Sequence, residues 1–247
     1  MGSPGRRGGS GRIGILTERP SRPMPVSSFP ESIRREIAGL AARLVADAGL
    51  DYGAAKRKAA REITGRNRPP AAALPDNELI DEALAEHLAL FDDGHEARVR
   101  RRRLAAASLM KWLEPFDPYL TGAVWKGIVA EHAPIHVQVF HDNAKEVGIA
   151  LLDHRVDYEA TTMAHLRNDT EVETLAFYWQ DEPVLLSLYL RDDLRGALRA
   201  SGPRGAERGN RQALLARMAE ADDETRPGPG SETGAWSQNA PPAGGTR

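Results

Sequence analysis

The hydrophobic periodicity of the chain changes between residues 113 and 118. Before this point, apolar residues recur at the three- and four-residue intervals of amphipathic helices. After it, short runs alternate apolar and polar side chains, which is the spacing of strands. The sequence therefore predicts an α+β protein in which an N-terminal helical segment packs on a mixed β-sheet.

Four helices are predicted between residues 27 and 114. Ser28 and Glu31 have the spacing of a capping box, in which each satisfies a free backbone N–H of the first turn. Phe91 lies on the apolar stripe of the third helix and is expected to face inward. In chain order, the helices begin near Ser28, after Asp51, at the cap Asp76 and near His95, and the first, second and fourth end at Gly49, Gly65 and Leu113.

A sheet with a few helices is predicted after residue 118. The runs "VETLAFYWQ" and "PVLLSLYLR" are separated only by "DEP", which is short enough for a β-hairpin. Strands are predicted within 119–125, 134–140, 156–164, 172–180 and 183–191, and helices within 143–155, 193–200 and 210–221.

Composition sets the limits of this organisation. Residues 1–26 and 222–247 are rich in Gly and Pro and are predicted to be disordered, which leaves a helical segment at 27–114 and an α+β domain at 115–221. Translation is expected to begin at Met24, just before the first structured stretch. The chain has no cysteine and no apolar run long enough to cross a membrane, so we expect a cytoplasmic protein without a membrane partner.

One segment of the second half resembles a known family. The sequence "TGAVWKG" followed by "APIHVQVF" resembles the signature of the nucleotidyltransferase superfamily, which has the polymerase-β-like fold. Gly122 and Ala123 occupy the positions of the family's Gly-Ser pair, and Gly127 is a second glycine. The resemblance covers roughly residues 115–200 and implies a nucleotidyltransferase-like sheet.

The resemblance also implies three metal-binding carboxylates, and this chain has none of them. The two positions of the family's Asp-x-Asp pair hold Pro134 and His136, and the third acidic position holds Leu185. Active members bind two Mg²⁺ ions about 4 Å apart, and Mg²⁺ requires carboxylate oxygen and water as ligands. We therefore predict a nucleotidyltransferase-like binding or regulatory module that is not an enzyme, has no metal site and needs no cofactor.

Binding could survive this loss, because backbone N–H groups at a glycine-bearing turn can hold phosphate without metal. A nucleotide or phosphate is the predicted ligand. Alternatively, the glycines serve only tight turns, and His136 and Gln138 lie on a solvated sheet face. The candidate binding residues are Gly122, Ala123, Lys126, Gly127, His136 and Gln138.

A second hypothesis is an active, Mg²⁺-dependent nucleotidyltransferase that uses relocated acids. Asp142, Asp192 and Asp193 lie near the predicted cleft in sequence. Asp192 and Asp193 are also explained as caps of the helix that follows them. Histidines at 132, 136 and 141 invite a metal site, but His136 and His141 point to opposite faces of a strand, so none is predicted.

A third hypothesis is a nucleic-acid or protein adaptor. Five arginines, at Arg98, Arg100, Arg101, Arg102 and Arg103, give one predicted helix a basic surface that could contact phosphates. Alternatively, the run is a solvated helix face that pairs with acids such as Asp92, Asp93 and Glu96. The net charge of -2 does not require a nucleic-acid partner. The oligomeric state is not predicted.

Overall fold

The computed structural model describes residues 30–165, 170–197, 201–202 and 205–224. Within these ranges the chain forms eight α-helices and a six-stranded mixed sheet, and the N-terminal part is entirely helical. The predicted α+β class is therefore confirmed. The predicted disorder of residues 1–26 and the predicted cap Ser28 lie outside the described residues.

The helices and strands alternate only in the second half of the chain. The helices are α1 (Glu31–Ala48), α2 (Tyr52–Thr64), α3 (Asn77–Phe91), α4 (His95–Trp112), α5 (Gly122–Lys126), α6 (Ala144–Asp153), α7 (Arg191–Ala197) and α8 (Arg211–Glu224). The strands are β1 (Pro118–Thr121), β2 (Ile135–Phe140), β3 (Glu159–Ala164), β4 (Glu171–Trp179), β5 (Glu182–Tyr189), β6 (Ser201–Gly202), β7 (Gly205–Ala206) and β8 (Arg208–Gly209).

The starts of α2 and α3 and the ends of α1 and α2 follow their sequence signals. The start of α1 does not: Pro30 is its N-cap, no side chain caps it, and Glu31 pairs with Arg35, so the predicted capping box is wrong. The side chains of Asp51 and Asp76 accept hydrogen bonds from Ala54 N and Leu79 N, both at 2.8 Å, so each caps its helix as predicted. Gly49 and Gly65 end α1 and α2 in the left-handed conformation. The predicted helix stops at these glycines are confirmed.

Two further local predictions are wrong. Phe91 is 74% exposed, because it is the last residue of α3 and lies beyond the helix contacts that bury Leu84 and Leu88; its ring packs against His87 on the surface. The strand predicted within 119–125 ends at Thr121. Gly122 has a φ of 69°, which takes the backbone out of the extended conformation, and α5 follows.

The six strands lie in the order β3-β4-β5-β2-β1-β8. The central pair β2 and β5 is parallel, and the other neighbours are antiparallel. The predicted hairpin between β4 and β5 is confirmed: Gln180 and Asp181 form its two-residue turn, and both have positive φ. The small strands β6 and β7 pair with each other.

The described residues form two large hydrophobic cores. The helical core contains the apolar faces of α1, α2 and α3 and also Ile128, from the loop after α5. The sheet core contains the inner faces of β2, β4 and β5, together with α4, α6 and Leu214 of α8. Because α4 packs in the sheet core, the division between the cores lies between α3 and α4, whereas the predicted domain boundary lies at residue 115.

The C-terminal helix continues further than predicted. Residues 222–224 belong to α8, although the tail was expected to start at 222. Asp222 lies 3.7 Å from Arg100 on the exposed surface of α4, so this end of α8 lies beside α4. Among the described residues, no helix is both long enough and apolar enough to span a bilayer.

Candidate ligand-binding site

A cavity of about 430 Å³ lies where the helical core meets the sheet; we call it the inter-core cavity. The helical segment supplies one wall, and α5, β2, β5 and the loop between α5 and β2 supply the other. The lining residues are Val45, Gly49, Leu50, Asp51, Tyr52, Asp81, Gly122, Ala123, Lys126, Ala130, His132, Ala133, Pro134, His136, Met163 and Leu185.

Four of the six predicted binding residues line this cavity: Gly122, Ala123, Lys126 and His136. The other two do not. Gly127 ends α5 in the left-handed conformation, with Arg103 packed against it, so it serves a tight turn. Gln138 is buried, and its side-chain oxygen accepts a hydrogen bond from Arg208 at 2.8 Å. The sheet face expected to be solvated is therefore covered at Gln138.

The three positions that hold acids in the resembling family lie together in the cavity. Pro134, His136 and Leu185 all line it. The parallel pairing of β2 with β5 places His136 beside Leu185, and β1 places Thr121 on the other side of His136. These ends of the central strands thus bring together one imidazole and apolar surface, and neither β2 nor β5 contributes a carboxylate to the cavity.

A buried carboxylate reaches the cavity from the helical segment instead. Asp81 of α3 is 4% exposed at its side chain, and its two oxygens are bound by Lys126 Nζ at 2.6 Å and by the Tyr52 hydroxyl at 2.7 Å. Burial, followed by the hydrogen bond to Asp81, raises the pKa of Tyr52, so the hydroxyl stays protonated and donates. Because Tyr52 carries no charge, the negative charge of Asp81 is balanced by the Lys126 ammonium group.

Asp81 and Tyr52 are not among the binding residues predicted from the sequence. A signal was present, because Asp81 lies three and seven residues before Leu84 and Leu88 and therefore shares their apolar face. An acid on the buried face of a helix needs a partner. Asp51, which also lines the cavity, uses its side chain to cap α2 through the bond to Ala54 N.

His136 is the polar side chain that the sheet contributes to the cavity. Burial lowers its pKa, so the imidazole is neutral at pH 7 and offers one donor and one acceptor. Among the hydrogen bonds and ion pairs of the described residues, His136 makes none. Its side chain can therefore form hydrogen bonds with a ligand, whereas both oxygens of Asp81 are already bonded.

The other histidines do not gather around His136. His141 Nε2 lies 2.8 Å from the Glu146 carboxylate, and its ring packs edge-on against Phe116. His132 lines the cavity from the loop before β2. In the part of the chain that the structure describes, no three His, Asp or Glu side chains are grouped closely enough to hold a metal ion.

The acids considered for a relocated active site lie outside the lining. Asp142 accepts a hydrogen bond from the backbone N–H of Arg191 at 3.3 Å, and so caps α7. Asp192 and Asp193 lie within the first turn of α7 rather than at its cap, and Asp193 approaches His165 at 3.4 Å. The capping role expected of Asp192 and Asp193 belongs to Asp142.

The arginine run does not form one exposed surface. Arg102 and Arg103 are buried, and Arg103 donates to the backbone oxygens of Val124 and Trp125. Arg98 pairs with Asp92, as the solvated-face alternative expected in part, and it also donates to the oxygen of Val129. Only Arg100 and Arg101 of the five are exposed.

Arg102 fixes the loop that carries part of the cavity wall. Its guanidinium donates to the backbone oxygens of Ala130, Glu131 and Ala133, and it pairs with the buried carboxylate of Glu182 at 2.8 Å. Residues Ala130, His132, Ala133 and Pro134 of this loop line the cavity. The arginine run therefore contributes to the site indirectly, through the conformation of the loop.

A scan of the chain against models of protein families found no match, and a search of curated proteins found none.

Proposed function

We propose that this chain is a non-catalytic protein with a nucleotidyltransferase-like sheet, and that it binds a nucleotide or phosphate-bearing small molecule in the inter-core cavity without metal. The observation that carries the proposal is the convergence of Pro134, His136 and Leu185 in one cavity with Gly122 and Ala123. These are the positions where the resembling family places its acids and its Gly-Ser pair, so the arrangement supports a transferase-shaped cleft whose metal ligands are missing.

The charges of the cavity oppose a two-metal centre. Two Mg²⁺ ions bring four positive charges and need several carboxylate oxygens. Among the described lining residues, the carboxylates are Asp51 and Asp81. Asp81 is neutralised by Lys126, and Asp51 caps α2. Two carboxylates from the helical segment, both already bonded, do not replace the three acids absent from β2 and the strand beside it.

The remaining polar groups suit a ligand with both polar and apolar parts. Lys126 is 37% exposed at its side chain, and an ammonium group has three donors, of which Asp81 takes one. His136 adds one donor and one acceptor, and Leu50, Met163 and Leu185 add apolar surface. A volume of about 430 Å³ lies in the range of small-molecule sites.

Isothermal titration of the full chain with ATP, GTP, CTP, UTP and their nucleosides tests binding. We expect at least one of these probes to bind in the presence of EDTA, with an affinity that Mg²⁺ does not increase. His136→Ala should weaken binding by about tenfold, the effect of losing one buried hydrogen bond. His87→Ala, at a partly buried histidine of α3 that is not among the cavity-lining residues, is the matched control. Absence of binding by every probe would contradict the proposal.

Catalysis is tested separately by incubating the chain with labelled nucleotides and Mg²⁺ or Mn²⁺. We expect no label to reach protein, RNA or small molecules. Turnover that disappears in Asp81→Asn or Asp51→Asn would show that acids of the helical segment replace the missing ones, and it would overturn the non-catalytic assignment.

A further inference from the structure

The strand β3 forms an open edge of the six-stranded sheet. It pairs with β4 on one side, and no other described strand lies beside it. Glu159, Ala160, Thr161, Thr162 and Ala164 are exposed, and Met163 is partly buried. Since alternate residues of a strand point to opposite faces, both faces of β3 are accessible along most of its length.

The sequence of β3 protects this edge only weakly, through the single charge of Glu159 at its first position. Natural edge strands are blocked by lysine, proline, bulges or covering segments, because their free N–H and C=O groups can pair with another chain. The sequence "EATTMA" has no lysine or proline, and its pairing with β4 is continuous from Glu159 opposite Ala176 to Ala164 opposite Glu171. The backbone groups that point away from β4 are therefore arranged to accept a further strand.

The charge around the β3 edge is negative. The strands β3, β4 and β5 contain no lysine or arginine and four glutamates. Glu182 forms ion pairs with Arg101 and Arg102. The other three, Glu159, Glu171 and Glu173, are exposed and form no ion pair with any described residue. Register places Glu173 opposite Thr162 and Glu171 opposite Ala164, so both lie on the same sheet face, one strand in from the open edge.

This charge distinguishes between possible occupants. A second copy of the chain would bring three further glutamates, one on β3 and two on β4, and this additional like charge opposes pairing. A segment with lysine or arginine at alternate positions would instead place its positive charges on the sheet face of Glu171 and Glu173, about 10 Å from them across β3. We propose that the β3 edge binds an extended basic segment of a partner protein by strand addition. This inference does not depend on the inter-core cavity.

A fluorescent peptide of sequence Lys-Val-Lys-Thr-Lys-Val-Lys is a suitable probe, and binding to the full chain is measured by fluorescence anisotropy. Affinity should fall as salt is raised from 50 to 300 mM, because exposed charges are screened. The same peptide with alternate backbone N-methyl groups keeps its charge but loses the donors of one edge, so it should not bind. Equal binding of the two peptides would reduce the interaction to charge alone and overturn the proposal, as would absence of binding by the unmethylated peptide.

Charge-reversal variants locate the site on the protein. The double variant Glu171→Lys, Glu173→Lys should weaken peptide binding about tenfold or more, because two charges that attract the peptide across β3 become repulsive. The matched control is Glu78→Lys, Glu86→Lys, which reverses two exposed acids on α3. An equal effect of both double variants would contradict the assignment to β3.

Light scattering of the chain alone tests the other occupant. A dimer that strengthens with salt and is lost in Thr161→Lys would make a second copy the occupant and overturn the proposal.

Discussion

Lys126 and Asp81 join the two hydrophobic cores across the inter-core cavity, with 2.6 Å between the ammonium nitrogen and the carboxylate oxygen. Lys126 belongs to α5, whose Val124 and Trp125 are in the sheet core, and Asp81 belongs to α3 in the helical core. Tyr52 of α2 holds the second oxygen of Asp81. One carboxylate thus ties α2, α3 and α5 together at the wall of the proposed binding site.

Removal of Lys126 should therefore destabilise the fold. In Lys126→Met, the buried Asp81 keeps only the Tyr52 hydroxyl, and we expect the free energy of unfolding to fall by about 1–3 kcal/mol. Urea denaturation of Lys126→Met, Asp81→Asn and the double variant gives the coupling energy. The exposed pair Arg34 and Asp76 is the control, and its coupling should be about 0–1 kcal/mol. Equal coupling in the two pairs would contradict a special role for Asp81.

Arg102 should contribute more to stability than its neighbour Arg100. Arg102 is 4% exposed at its side chain and pairs with Glu182, which is 6% exposed. Arg102→Met leaves this carboxylate buried with Arg101 alone, and we expect a loss of about 3–5 kcal/mol, as for other broken buried pairs. Arg100→Met, at an exposed position on the same helix, should cost about 0–1 kcal/mol. Thermal and urea unfolding measure both variants.

The Glu182 carboxylate should also make stability depend on pH in the acid range. Burial raises its pKa, but the hydrogen bonds from Arg101 and Arg102 outweigh burial, so the net pKa is lower than in the unfolded chain. Its contribution is therefore present above the unfolded pKa, about 4.3 for a glutamate, and is lost as pH falls through the lower folded pKa. Urea denaturation between pH 6 and pH 3 should show a shallower decline in Glu182→Gln than in the wild-type chain.

His136 should give a second pH dependence, nearer neutrality. Burial lowers its pKa in the folded state, so the unfolded chain binds a proton first as pH falls below about 6.5. Stability is then lost from that pH downward, because the unfolded state holds more protons. The decline between pH 7 and pH 5 should be smaller in His136→Leu, and NMR titration of the imidazole measures the shift directly. A folded-state pKa above that of the unfolded chain would contradict the burial of His136.

Local sequence signals predict much of this fold, because capping and turn geometry depend mainly on neighbouring residues. The caps Asp51 and Asp76, the stops Gly49 and Gly65, and the hairpin at Gln180 are set by neighbouring residues. The predicted burial of Phe91 is wrong, because an apolar stripe indicates which face of a helix is buried but not where the packing partner ends.

The site was harder to predict because it is assembled from distant parts of the chain. Gly122, Lys126 and His136 were found from a local pattern, but Asp81 and Tyr52 join them only through the packing of α2 and α3 beside α5. The arginine run shows the same limit. Its composition is that of a basic surface, yet Arg102 is buried, because its guanidinium donates to backbone oxygens of the loop before β2.

A last prediction concerns the contact of Trp125 with Gly209, which fixes the position of α5 and hence of Lys126. Trp125 is buried, donates its indole N–H to the Ala206 oxygen at 2.7 Å and carries the Arg217 guanidinium 4.2 Å above its ring. A Cβ at Gly209 would overlap this ring, so Gly209→Ala should cost about 1–3 kcal/mol through overpacking.

Gly39 of α1 is the matched control, because a Cβ there meets open space. Gly39→Ala should stabilise the chain by about 0.5–1 kcal/mol, since alanine loses less backbone freedom than glycine when a helix forms. Thermal unfolding of the two variants should therefore shift in opposite directions. If Gly209→Ala unfolds like the wild-type chain, then Trp125 does not hold α5 against β8, and the placement of Lys126 must depend on Asp81 and the helical core instead.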